Sequence, residues 1–128
     1  MTPSAQHPDL WAEDDAYLSG IQLFNDHKFW ESHEAWEEIW LHCDGVQSEF
    51  LQGLIQAAAA LLKYQRNEFP PALRLCNTAL GRLKQCPDHY MGLNVRAFEH
   101  AFKACMQPVL SGQNTAIENS KIPTIRVS

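Results

Sequence analysis

Residues 23–40 read LFNDHKFWESHEAWEEIW, and the fold follows from this stretch. Asn25 and His27 form a polar turn, and behind it Phe29, Trp30, Trp36 and Trp40 recur at helical spacing. Upstream, Tyr17, Ile21 and Phe24 share one face of a preceding helix. Downstream, a third helix over roughly 47–67 carries Phe50, Leu51, Leu54, Ile55, Ala58, Leu61 and Leu62. A fourth places Leu73, Cys76, Leu80 and Leu83 together, with Pro70 and Pro71 suited to its first turn. A fifth aligns Val95, Phe98, Phe102 and Met106, with Asn94 as its N-cap. Each follows the i, i+3, i+4, i+7 rule of a core-facing stripe, and no stretch of period two interrupts them. The fold class is therefore all-α: a compact five-helix bundle of two helical hairpins, a C-terminal helix and an extended tail.

Sliding the chain against itself by 40 residues, so that Phe29 meets Phe69, sets FNDHKFWESHEAWEEIW beside YQRNEFPPALRLCNTAL. Ile21 then meets Leu61, Ser32 meets Ala72, Trp36 meets Cys76 and Ile39 meets Ala79. Both halves read as helix, short turn, helix, as in tetratricopeptide-like hairpins. Two such hairpins fall short of the roughly three repeats an open array needs, which favours a compact bundle.

Proline and glycine set the boundaries. Pro3 and Pro8 mark a flexible N-terminus over residues 1–10, and a single helical domain is expected over 11–110. Pro108 and Gly112 precede an extended tail, 111–128, whose Ile122–Val127 part can dock its alternate apolar residues.

The chain has 128 residues, 45% of them hydrophobic, and 10 Lys+Arg against 15 Asp+Glu give a net charge of −5. That is enough apolar material for one core, and the acidic balance argues against nucleic acid or an anionic membrane surface as partner. Residues 1–10 lack a basic and apolar leader pattern, and no apolar run reaches the roughly 18–20 residues of a membrane span. Cys43, Cys76, Cys86 and Cys105 form no C-x-x-C pair, which suits free thiols in a reducing cytoplasm.

The two hairpins differ where chemistry could reside. Leu73 stands opposite His33, Asn77 opposite Glu37 and Arg74 opposite Glu34, so only the first hairpin carries ionisable groups at the His33 and Glu37 places. At about 100° per residue, and with His33 at zero, Trp40 falls near −20°, Glu37 near 40°, Phe29 near −40° and Trp36 near −60°. His33 and Glu37 are thus expected inside an aromatic face, Glu34 on its border, and Glu31 and Glu38 in solvent. A His and a Glu there must pair or line a wet cavity. Three readings stay open: an internal His–Glu bond that fixes packing, a polar pocket in which Glu37 orients His33 as a base, and one end of a metal site lacking its second helix. Asn25 can cross-link backbone or join the cluster, and Gln52 and Gln56 are either a solvated stripe or its far wall. No nucleophile elbow, phosphate loop, H-E-x-x-H or dinucleotide fingerprint occurs, and Cys76 and Cys105 lie on core stripes.

The string LFNDHKFWESHEAWEEIW, followed at 50–62 by FLQGLIQAAAALL, resembles the signature of the domain of unknown function 309 family. The resemblance spans about residues 17–100 and includes Tyr90-x-Gly92-Leu93-Asn94-Val95. It implies a compact helical protein and singles out Phe24, Asn25, Glu31, His33, Glu34, Glu37, Trp40, Gln52, Gly53 and Gln56. His27 departs from it, because the family commonly has Gly there. No activity or cofactor comes with the resemblance.

Two functions are therefore expected in competition. In the first, a pocket of Asn25, His33, Glu34, Glu37, Trp40, Gln52 and Gln56 binds a small polar ligand or performs hydrolytic acid–base chemistry, with His33 as base. In the second, a tetratricopeptide-like module holds a peptide, and the His33–Glu37 pair is structural.

Overall fold

The computed structural model describes residues 14–128; the N-terminal expectations for 1–10 lie outside them. Among the described residues the order is α1 (Asp15–Asn25), α2 (Phe29–Trp40), α3 (Gly45–Gln65), α4 (Phe69–Lys84), β1 (His89–Tyr90), β2 (Leu93–Asn94) and α5 (Val95–Leu110), then a short 3₁₀ turn at Asn119–Lys121. The expected all-helical bundle is borne out. The unforeseen element is the small antiparallel pair β1–β2, whose two-residue strands are too short to leave a period-two signal. α5 also runs through Pro108, so this proline lies in the helix's last turn rather than marking its end.

Local chemistry sets the helix ends. The Asp14 carboxylate accepts from the amides of Ala16 and Tyr17 at 2.8 and 3.2 Å, and Asn94 Oδ1 accepts from Ala97 at 3.0 Å. Pro70 and Pro71 open α4.

The 40-residue offset recurs in the backbone. His27 and Asn67, which it aligns, are both left-handed, with φ of 62° and 58°. The amides of the following residues, Lys28 and Glu68, reach back to the carbonyls of Leu23 and Lys63 at 2.8 and 2.9 Å. Ser32 and Ala72 are fully buried at matching places, as are Trp36 and Cys76. The two hairpins are thus one structural unit used twice. His27 takes the strained conformation without the glycine that would relieve it.

Helix α3 packs between α2 and α4, and α5 closes against α4. Gly53 permits the α3–α4 approach: a Cβ there would stand 2.8 Å from Leu83 Cδ2. Ala57, Ala58 and Ala60 are fully buried on the same helix. Across the bundle, Trp36 covers Gly20, Ser32 Oγ donates to the Gly20 carbonyl at 2.8 Å, and Phe24 meets Phe98 edge-on at 5.8 Å.

Candidate functional site

Helix α2 buries Phe29, Ser32, Trp36 and Ile39. On the wheel that places His33 near zero, the centre of this face lies at about −80°. The aromatic face expected from sequence is therefore rotated. Trp30 is 52% exposed and Trp40 only partly buried, while Ser32 takes a core position because its hydroxyl has the Gly20 carbonyl as partner. His33 and Glu37 consequently sit at the core's edge, their side chains 20% and 47% exposed.

Their geometry is loose. His33 Nε2 stands 3.7 Å from Glu37 Oε2, an ion-pair distance too long for a hydrogen bond. His33 Nδ1 is buried with no partner. The imidazole stacks on the Trp30 indole, centroids 5.3 Å apart and planes 16° from parallel. Glu31, Glu34 and Glu38 are exposed.

Of the remaining residues of the expected pocket, Asn25, Trp40 and Gln56 are each held by a partner of their own. Asn25 spends its carboxamide on the Ile125 backbone, donating at 2.9 Å and accepting at 2.8 Å. Trp40 Nε1 donates to Ser48 Oγ at 3.0 Å, which ties the end of α2 to the start of α3. Gln56 faces α4 rather than α2: its Oε1 accepts from Arg82 Nε at 3.1 Å, while Arg82 Nη1 donates to Glu49 Oε1 at 2.7 Å. Gln52, half-buried, lies by helical spacing between Ser48, which faces α2, and Gln56, which faces α4. Asn25 and Gln56 are thus turned to partners away from α2, one on the tail and one on α4. A surface cleft lies beside Asp14, Ile39, Leu41 and His42. Among the described residues no three His, Cys, Asp or Glu side chains converge as a metal site would require.

Sequence reading missed Arg96. Its guanidinium donates to the carbonyls of Leu83 and Cys86 at the end of α4 and pairs with Glu99 at 3.2 Å. It also missed Tyr17, whose hydroxyl donates to the Met91 carbonyl at 2.9 Å and whose phenol burial pushes well above its ordinary range. Arg96 has one local partner, Glu99 at i+3, but the carbonyls that the two side chains hold lie on other elements, where spacing cannot reveal them.

Residues 17–75, spanning α1 to the first turns of α4, match a known family model. That model is the domain of unknown function DUF309. The resemblance read from the sequence is thereby borne out over residues 17–75. A curated relative, an uncharacterized protein of Aquifex aeolicus (strain VF5), is 30% identical over 73 residues. That match takes in 56% of this chain but 22% of the relative, so the chain spans well under half of that protein's length. The matched segment contains all of α2 and leaves the rest of α4, α5 and the tail outside it. No helix among the described residues is long and apolar enough to cross a membrane.

Proposed function

We propose that this chain is a helical interaction module whose α2 face holds a basic, amphipathic segment of a partner protein. The observation that carries this is the outer stripe of α2 and its C-cap. Trp30 and Leu41 are 52% and 71% exposed. Between them, at i+4 and i+7 from Trp30, stand Glu34 and Glu37. Two apolar anchors about 16 Å apart along the axis, with carboxylates between, match a partner helix with a Lys or Arg between two apolar side chains. Trp30 also supplies a face for a guanidinium, and tryptophan is a common energetic anchor of interfaces. The duplicated hairpin supports the same reading, and the free thiols support a reducing cytoplasm as its compartment.

The partner-free His33 Nδ1 favours a second reading, a small polar ligand seated on that imidazole, with His33 acting as base. The 3.7 Å gap to Glu37 leaves this base unoriented until a ligand closes the site.

The test is a photo-crosslinking side chain at position 34, with position 77 on α4 as control, followed by affinity measurements on the captured pair. Trp30→Ala and Glu34→Lys should each weaken that pair tenfold or more. Equal capture from position 77, or affinity unchanged by Trp30→Ala, contradicts the proposal.

A further inference from the structure

Residues 122–128 lie in a groove formed by the end of α1, by β2 and by α5. Asn25 holds their backbone at Ile125 with Nδ2 donating and Oδ1 accepting. A carboxamide used at both ends reproduces one rung of an antiparallel ladder and reads the main chain whatever the side chain. Val127 pairs with Leu93, and the Ser128 amide donates to the Gly92 carbonyl at 3.0 Å. Gly92, at φ 78°, allows that approach, since a Cβ there would stand 3.1 Å from the Ser128 carbonyl oxygen. Ile122 and Ile125 are buried, while Thr124, Arg126 and Val127 face outward.

We propose that this groove is a receptor for an extended Ile-Pro-x-Ile-x-Val segment, filled here in cis, and that it takes the same segment from a second copy of the chain. Every contact to the groove is made by the segment itself: Ile122 and Ile125 in buried places, the Ile125 backbone on Asn25, and Val127 and Ser128 against Leu93 and Gly92. The connector from Ser111 to Ala116 is exposed and contributes none of them. A segment donated by another copy therefore makes identical contacts, the condition under which exchange of an element costs little. The fit is incomplete along one side, where a cleft of about 310 Å³ lies between the segment and α5, lined in part by Phe98, Ala101 and Thr124. Release uncovers Ile122 and Ile125, while the helices keep their contacts with one another.

The test places a protease site in the connector of the full chain, cuts the folded protein, and titrates it with a fluorescent peptide of residues 119–128. Saturable binding that displaces the nicked segment is expected. Asn25→Ala should weaken it on the order of 10- to 100-fold, because two hydrogen bonds are lost. In the uncut chain, deleting residues 113–115 should shift light scattering from monomer to dimer. Peptide binding no better than that of a scrambled sequence, or loss of helical circular dichroism on cutting, overturns the receptor. An uncut deletion variant that stays monomeric overturns the exchange between copies.

Discussion

Trp36 is fitted to Gly20 so closely that a Cβ at position 20 would stand 2.7 Å from the indole Cε2. The same indole donates from Nε1 to the Tyr17 carbonyl at 3.1 Å, so the ring cannot retreat without breaking a buried hydrogen bond. Gly20→Ala is therefore expected to cost about 1–3 kcal/mol, the usual range for overpacking, although alanine is the better helix former. Urea unfolding with an unchanged m-value checks it. A neutral or stabilising substitution would mean that the α1–α2 contact is looser than described.

The left-handed turns give a prediction of opposite sign. His27→Gly should stabilise by roughly 0.5–1 kcal/mol, because relief of the positive φ outweighs the added freedom of the unfolded chain. Asn67→Gly should gain less, since asparagine tolerates this region. Unfolding midpoints of the two variants, measured side by side, test the ordering.

Arg96 acts as a C-terminal cap supplied from another helix, bonding the carbonyl of Leu83 in the last turn of α4 and that of Cys86 just beyond it. Arg96→Ala should destabilise by about 1–3 kcal/mol, and Arg96→Lys should recover little, since one ammonium cannot reproduce the fork. Hydrogen exchange should accelerate first at the end of α4.

Burial pushes the Cys76 thiol up to about 12 and the Cys105 thiol up to about 11, from an ordinary 9.0. In the unfolded chain these thiols ionise near pH 9, while the folded chain keeps its protons. Their contribution to stability is therefore complete below pH 9 and is lost as pH rises toward 11–12. Each group adds a slope of at most about 1.4 kcal/mol per pH unit. Alkylation at pH 8 should be slow in the native protein, with half-buried Cys43 reacting first and all four reacting in denaturant. Rapid native labelling of Cys76 would contradict this burial.

Much of this architecture was legible because its signals are local. The core residues of α1 and α5, the Asn94 cap and the Pro70-Pro71 start all follow from spacing within a few turns. The rotation of α2 was not legible. Three tryptophans dominate any count of its apolar face, yet only Trp36 is fully buried, and the fourth core position belongs to a serine whose partner lies on α1. The site suffered from the same limit. Nothing near Asn25 announces Ile125, 100 residues away, and nothing near Gln56 announces Arg82. Polar side chains that look alike along one helix were separated by partners that only the tertiary fold supplies.

In the proposed module His33 and Glu37 border the contact face of α2, and the fold does not depend on the pair. The most direct measurement is the unfolding free energy of His33→Ala and Glu37→Gln by urea denaturation, beside that of Trp36→Ala. The surface reading requires losses within about 1 kcal/mol for the first two and about 3–5 kcal/mol for the third. A loss of about 3 kcal/mol or more at His33 would place the pair in structural service and contradict the claim.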